Sequence, residues 1–186
     1  MITDTKYPEA FRSMFREYDI RGRVCDEELC PENVYRIVKA YSKYLRRRKI
    51  MRAVVGYDNR SCSPAFAKSA VDALLEEGID VFYIGLALSP LAYFAQYHLK
   101  CEGAVMITAS HNPDGWSGFK LANGYSKTLE PDDIKEVFSL LDQPTESTHT
   151  GAYTEVDVRD AYIDDIVSRI HMGPKKLRVV LDAANG

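Results

Sequence analysis

Four short runs of this chain are apolar without alternation: residues 53–56 (A-V-V-G), 81–84 (V-F-Y-I), 104–107 (A-V-M-I) and 179–181 (V-V-L). A strand with one wet face alternates, so an unbroken run of this length marks a strand covered on both faces. Helical periodicity fills the spaces between. Val34, Ile37, Val38, Tyr41 and Leu45 follow Pro31 at a helix-start position. Phe66, Ala70, Val71, Leu74 and Leu75 follow Pro64 and stop at Gly78, which suits a left-handed cap. A shorter helix follows Ser89 and Pro90, and another follows Pro131 with Ile134, Val137, Phe138 and Leu141 on its buried side. A last one carries Ile163, Ile166, Val167 and Ile170. Strand and helix alternate, which predicts an α/β fold with a mixed, mainly parallel sheet flanked by helices. In such sheets ligands collect at the carboxyl ends of strands.

At 186 residues there is room for one domain and part of another. The polar residues 145–150 read as a linker, which divides the chain into an α/β domain over 1–144, a linker over 145–154, and the first helix and strand of a second, similar domain over 155–186. The strand over 178–182 has no successor to bury it, so it is expected to pair with another chain or to lie against the first domain. Lys and Arg number 24 against 27 Asp and Glu, and no global field draws the chain to nucleic acid or to an acidic membrane. No apolar stretch reaches the length of a membrane span, and the amino end lacks the apolar core of a secretory signal. Cys25, Cys30, Cys62 and Cys101 form no C-x-x-C pair and read as reduced thiols of a cytoplasmic protein.

The third apolar run leads into Thr108, Ala109, Ser110, His111, Asn112 and Pro113, which brings a serine and a histidine to the carboxyl edge of the sheet. Pro113 restricts Asn112 to extended conformations and stiffens the loop. A serine hydroxyl needs a base or nearby positive charge to react, and His111, Lys120 and Arg21 are the candidates. By spacing alone, Ser110 and Asn112 equally suit turn residues that satisfy backbone groups. Arg21, beside Gly22, could fork onto a phosphate, or form a surface ion pair with Asp19 or Glu17. Asp58 and Arg60, beyond the first run, are expected to brace their loop. The run of basic residues 46–49 reads as a helix end complementing its dipole, and Asp157, Asp160, Asp164 and Asp165 as a solvated face.

The pieces F-R-E-Y-D-I-R-G (15–22), G-Y-D-N-R-S (56–61), T-A-S-H-N-P (108–113) and G-F-K (118–120), in this order, resemble the amino-terminal domain of the α-D-phosphohexomutases, in particular the phosphomannomutase/phosphoglucomutase group. The run V-V-L-D-A-A-N-G (179–186) looks like the first strand and turn of that family's second domain. The resemblance implies the start of a four-domain isomerase, inactive in this span alone, that interconverts hexose 1-phosphate and hexose 6-phosphate through a bisphosphorylated sugar. It puts the phosphoserine at Ser110, the general acid/base at Lys120, and His111 beside the phosphate. Arg21 falls on an arginine that supports proton transfer and stabilises charge, and Tyr18 on a substrate-contacting tyrosine. It further implies Mg²⁺ bound through the Ser110 phosphate, with the remaining ligands outside this chain, and hexose 1,6-bisphosphate as activator. Its partners would be a hexose phosphate and the remaining domains, with neither nucleic acid nor membrane. Trp116, Ser117 and Gly118 stand where the family more often has an aromatic followed by Asn-Gly, so the turn before Lys120 is expected to bond differently. The alternative is a stand-alone, non-catalytic sugar-phosphate-binding or interaction module.

Overall fold

In the computed structural model, which describes residues 6–182, the elements follow one another as α1 (Glu9–Ser13), β1 (Ile20–Arg23), α2 (Pro31–Arg47), β2 (Arg52–Tyr57), α3 (Ser63–Glu76), β3 (Asp80–Leu86), α4 (Ser89–Leu99), β4 (Gly103–Ile107), β5 (Trp116–Gly124), β6 (Lys127–Thr128), α5 (Pro131–Ser139), β7 (Tyr153–Glu155) and α6 (Arg159–Arg169). The strands form one mixed sheet in the order β1-β5-β4-β2-β3-β7, with β6 paired to β5. β4, β2, β3 and β7 run parallel, and β5 runs against both β4 and β1. The mainly parallel sheet expected from the continuous runs is present.

Two apolar layers sandwich the sheet, and strand alternation decides which residue enters which. Ala53, Val55, Val81, Val105, Ile107, Phe119 and Leu121 face α1, α2, α3 and α5. Val54, Ile84, Ala104, Met106 and Ala122 face the other side, where α4 packs. A strand buried on both faces has no polar positions to alternate with, which is why β2 and β4 read as unbroken runs.

α2, α3 and α4 end alike. Gly78, Lys49 and Lys100 each adopt a positive φ, of 74°, 60° and 54°. In each case the residue after it donates back to the helix, as in Ile79 N–H to the Leu74 carbonyl at 3.0 Å, Ile50 to Leu45 at 3.0 Å and Cys101 to Gln96 at 2.8 Å. This six-to-one bond satisfies a carbonyl that would otherwise lack a partner at the helix end.

The polar stretch after residue 142 is fastened down. Lys43 and Glu77 are buried side by side at 3.9 Å. The Lys43 ammonium donates to the Gln143 carbonyl, and Glu77 accepts from the Glu146 N–H at 3.3 Å. Gly151 N–H donates to the Leu75 carbonyl at 2.8 Å and Ala152 N–H to Asp80 Oδ1 at 2.8 Å, after which β7 joins the edge of the sheet beside β3. Past β7, Val158 is buried and Tyr162 meets Phe94 of α4 at 5.4 Å between ring centroids.

Residues 178–182 differ from the expectation. They form no strand and lie exposed, Val180 at 95% and Leu181 at 91%. A strand exists only through hydrogen bonds to a neighbour, and none of the described strands takes this one. Within this chain it joins none of the described strands, and residues 183–186 lie outside the described part of the chain.

Candidate phosphoryl-transfer site

β4 ends where Thr108 N–H donates to the Gly118 carbonyl at 2.9 Å, closing the strand against β5. The chain between these residues bulges from the carboxyl edge of the sheet and exposes Ser110 and His111 at its tip. Ser110 sits at φ 57°, in the left-handed region that side chains disfavour. Such a conformation costs about 1–2 kcal/mol and persists where the surroundings over-determine it. Its N–H donates to Thr108 Oγ1 at 3.1 Å, and its Oγ lies 3.2 Å from His111 Nδ1. Asn112 N–H closes the turn on the Ala109 carbonyl at 3.1 Å.

Two arginines hold this loop from opposite sides. Arg21 of β1 donates through Nη1 to Asn112 Oδ1 at 3.1 Å and through Nε to Asp19 Oδ2 at 2.7 Å. Asp19 is only 3% exposed, so its charge is balanced locally by that guanidinium. The ion pair with Asp19 that the sequence allows is present, and the same guanidinium also reaches the Ser110 loop. Arg60, between β2 and α3, donates through Nη2 to the Asn112 carbonyl at 2.6 Å and through Nη1 to the carbonyls of Pro113 and Trp116 at 3.1 and 3.2 Å. Asp58 supports it at 3.3 Å from Nε and is itself held by Ser63 Oγ at 2.6 Å. These two residues brace not only their own loop but the one that carries Ser110.

Arg21 and Lys120 share a face. On β1, Ile20 enters the layer with α1, α2 and α5, so Arg21 points to the opposite side. On β5, Phe119 and Leu121 enter that same layer, so Lys120 shares the Arg21 side, half-buried and opposite Met106 of β4. Gly118 separates them. A Cβ there would stand 2.2 Å from the Ile20 carbonyl oxygen, so only glycine lets β1 pair this closely and lets Arg21 lie across β5. Trp116 has the Arg23 guanidinium 5.9 Å from its ring, and Gly115, at φ 79°, accepts from Val24 N–H at 2.8 Å.

Tyr18 stands two residues before β1. It is 56% exposed on a groove of about 700 Å³ lined by Phe15, Asp19, Arg21, Ile134 and Lys135. Arg21 is common to groove and loop. Among the described residues, no three His, Cys, Asp or Glu side chains come together as metal ligands. Asp157, just before α6, and Asp165, within it, pair instead with Arg159 and Arg169. The described residues do not by themselves fit a Mg²⁺ site beyond one Ser110 oxygen.

A mixed, mainly parallel sheet that displays a serine hydroxyl and cationic side chains at the carboxyl ends of its strands defines an α/β domain with a candidate anion site there. Residues 12–148 match the family phosphoglucomutase/phosphomannomutase, alpha/beta/alpha domain I, and the chain belongs to that family. It is 34% identical over 178 residues to a phosphomannomutase of Salmonella typhimurium, covering 92% of this chain and 38% of that protein. It is 32% identical to a phosphoglucomutase of Neisseria gonorrhoeae, covering 94% and 38%. A phosphoglucomutase/phosphomannomutase family protein from Burkholderia thailandensis superposes with a TM-score of 0.78 at 28% identity, over 86% of this chain and 36% of that one. The chain thus spans a little over a third of the length of the relatives it matches.

Proposed function

We propose that this chain is the phosphoserine domain of a phosphohexomutase, with Ser110 as the group that carries phosphate between the 1- and 6-positions of a hexose. The observation that carries this reading is Ser110 held at φ 57° on a loop clamped by Arg21 and Arg60. In the forward step a sugar hydroxyl attacks the phosphorus, the Oγ–P bond breaks, and the hydroxyl proton passes to a protein base. The bisphosphorylated sugar then returns its other phosphate to Ser110. Arg21 stabilises charge on the transferring oxygens, as such reactions require. Lys120, on the same face, moves the proton, His111 stands beside the phosphate, and Tyr18 contacts the sugar.

Mg²⁺ would take one phosphate oxygen here and its other ligands from the length that the relatives have beyond this span. α6 supports the reading that residues from 155 onward open a second unit, since Ile163, Ile166, Val167 and Ile170 remain exposed. The test is incubation with glucose 1,6-bisphosphate and Mg²⁺, followed by peptide mass spectrometry. Phosphate is expected on Ser110 and absent in Ser110→Ala. Phosphate on another serine, unaffected by that substitution, would overturn the assignment. Sugar-phosphate binding without any uptake would favour the non-catalytic module.

A further inference from the structure

We infer that Arg60 is a positioning residue for phosphoryl transfer, acting through the main chain of the Ser110 loop rather than through the phosphate; the role rests on the reading of Ser110 above. Its guanidinium donates to three carbonyls, those of Asn112, Pro113 and Trp116, and is ion-paired with Asp58. Three carbonyls drawn onto one planar cation must converge, and the chain from 112 to 116 is thereby bent around it. No other described side chain gathers this loop's backbone in that way.

The consequence reaches Ser110 through Asn112. That residue is fixed twice, at its carbonyl by Arg60 and at its side-chain amide by Arg21, and its N–H closes the turn containing Ser110. Without Arg60 the turn keeps the Asn112 tether to Arg21 and its own short bonds to Ala109 and Thr108, but the backbone on its far side is released and Ser110 is held left-handed less firmly. The acceptor oxygen then wanders relative to Arg21 and Lys120. Misplacement of a reacting atom by about 1 Å costs on the order of a hundredfold in rate.

Arg60 is itself held. Asp58 Oδ1 accepts from both the Arg60 N–H at 3.2 Å and Ser63 Oγ at 2.6 Å, at the start of α3. Asp58 N–H donates to the Ile107 carbonyl at 2.9 Å, which joins the β2 loop to the end of β4 just before the loop begins. The support for Ser110 therefore runs from two strands and one helix, which is the kind of second layer that precise placement requires. A lysine at position 60 would keep the charge and lose the fork, since an ammonium cannot span three carbonyls and a carboxylate in a plane.

The experiment compares this chain with its Arg60→Lys, Arg60→Ala and Asp58→Asn variants. Each is checked for folding by circular dichroism, and amide hydrogen exchange is followed across 108–118. Exchange there should accelerate about tenfold or more in Arg60→Lys while the α2 and β2 amides keep their protection. In a full-length enzyme carrying this domain, with glucose 1,6-bisphosphate and Mg²⁺, the saturating rate of phosphate uptake on Ser110 should fall about a hundredfold in Arg60→Lys, with half-saturation unchanged. Added guanidinium should restore part of it in Arg60→Ala. Asp58→Asn should fall between, and it decides the matter if either Arg60 variant fails to fold.

Loop exchange unchanged in a folded Arg60→Lys would overturn the inference, as would a raised half-saturation with the rate intact, which marks direct phosphate binding. If Ser110 of that longer enzyme takes up no phosphate, the reading of Ser110 falls, while the exchange measurement still judges Arg60 as the holder of the loop.

Discussion

Lys120 owes its position to one glycine and two large apolar neighbours in sequence. Phe119 and Leu121 are fully buried, so the residue between them must face the other layer, and Gly118 clears the space between it and Arg21. In an active enzyme carrying this domain, Lys120→Met is expected to lower kcat and kcat/KM together by about a hundredfold or more, with little change in ground-state binding. A raised KM with kcat intact would instead make Lys120 a phosphate anchor and leave proton transfer to Arg21 or His111. The facing of Lys120 was legible because two large apolar residues flank it. The clamp on Asn112 was not. Its partners lie 91 residues away at Arg21 and 52 away at Arg60, and no periodicity links residues that meet only through sheet order. For Arg21 the sequence offered a phosphate or an ion pair with Asp19 or Glu17; the pair with Asp19 is present, and the same guanidinium has donors enough for the bond to Asn112 as well.

At the scale of elements, the helices were easier to read than the edge strands. α2, α3, α4 and α5 each have proline in the first turn, and α2, α3 and α5 bury a helically spaced apolar stripe. β1 reads Ile-Arg-Gly-Arg, and only its pairing with β5 makes it a strand. β5 runs from Trp116 to Gly124, beyond the four residues 119–122 that alternate clearly, because Ser117 and Asn123 interrupt the pattern. β7 buries none of its three residues and carries no apolar signal. Gly78 was legible as a helix stop, whereas Lys49 and Lys100 take the same backbone conformation without the residue that announces it. Lys100→Gly should therefore relieve strain and raise stability by about 0.5–1 kcal/mol, net of the greater freedom glycine gives the unfolded chain. Urea unfolding would show the midpoint rising with unchanged slope. A fall would mean that the lysine stem contributes packing that outweighs the strain.

For the whole molecule, burial sets the alkaline limit. Removal from water is the main cause that pushes the phenols of Tyr41 and Tyr44 well above their ordinary 10.0 and that of Tyr83 to about 12. A raised folded pKa gives stability that is fully present below pH 10 and is lost as pH climbs toward the folded values, because only the unfolded chain releases those protons. Buried Lys43 works the other way. Desolvation holds it below 10.5, so the penalty for its charge eases as pH approaches that value. The tyrosines outnumber it, and alkaline titration should show a delayed fraction of phenolate absorbance appearing together with the loss of far-ultraviolet dichroism. A single step near pH 10 with the fold intact would contradict this. The fastening of residues 143–155 has a geometric consequence of its own. β7 runs parallel to β4 and heads for the rim that presents Ser110, with Glu155 level with Val105 of β4 through the intervening register. Three strand spacings, about 14 Å, separate the two strands laterally. That is on the order of the breadth of a phosphorylated sugar with its first shell of contacts, so the residues after β7 set out beside the candidate site and not from the far rim of the sheet.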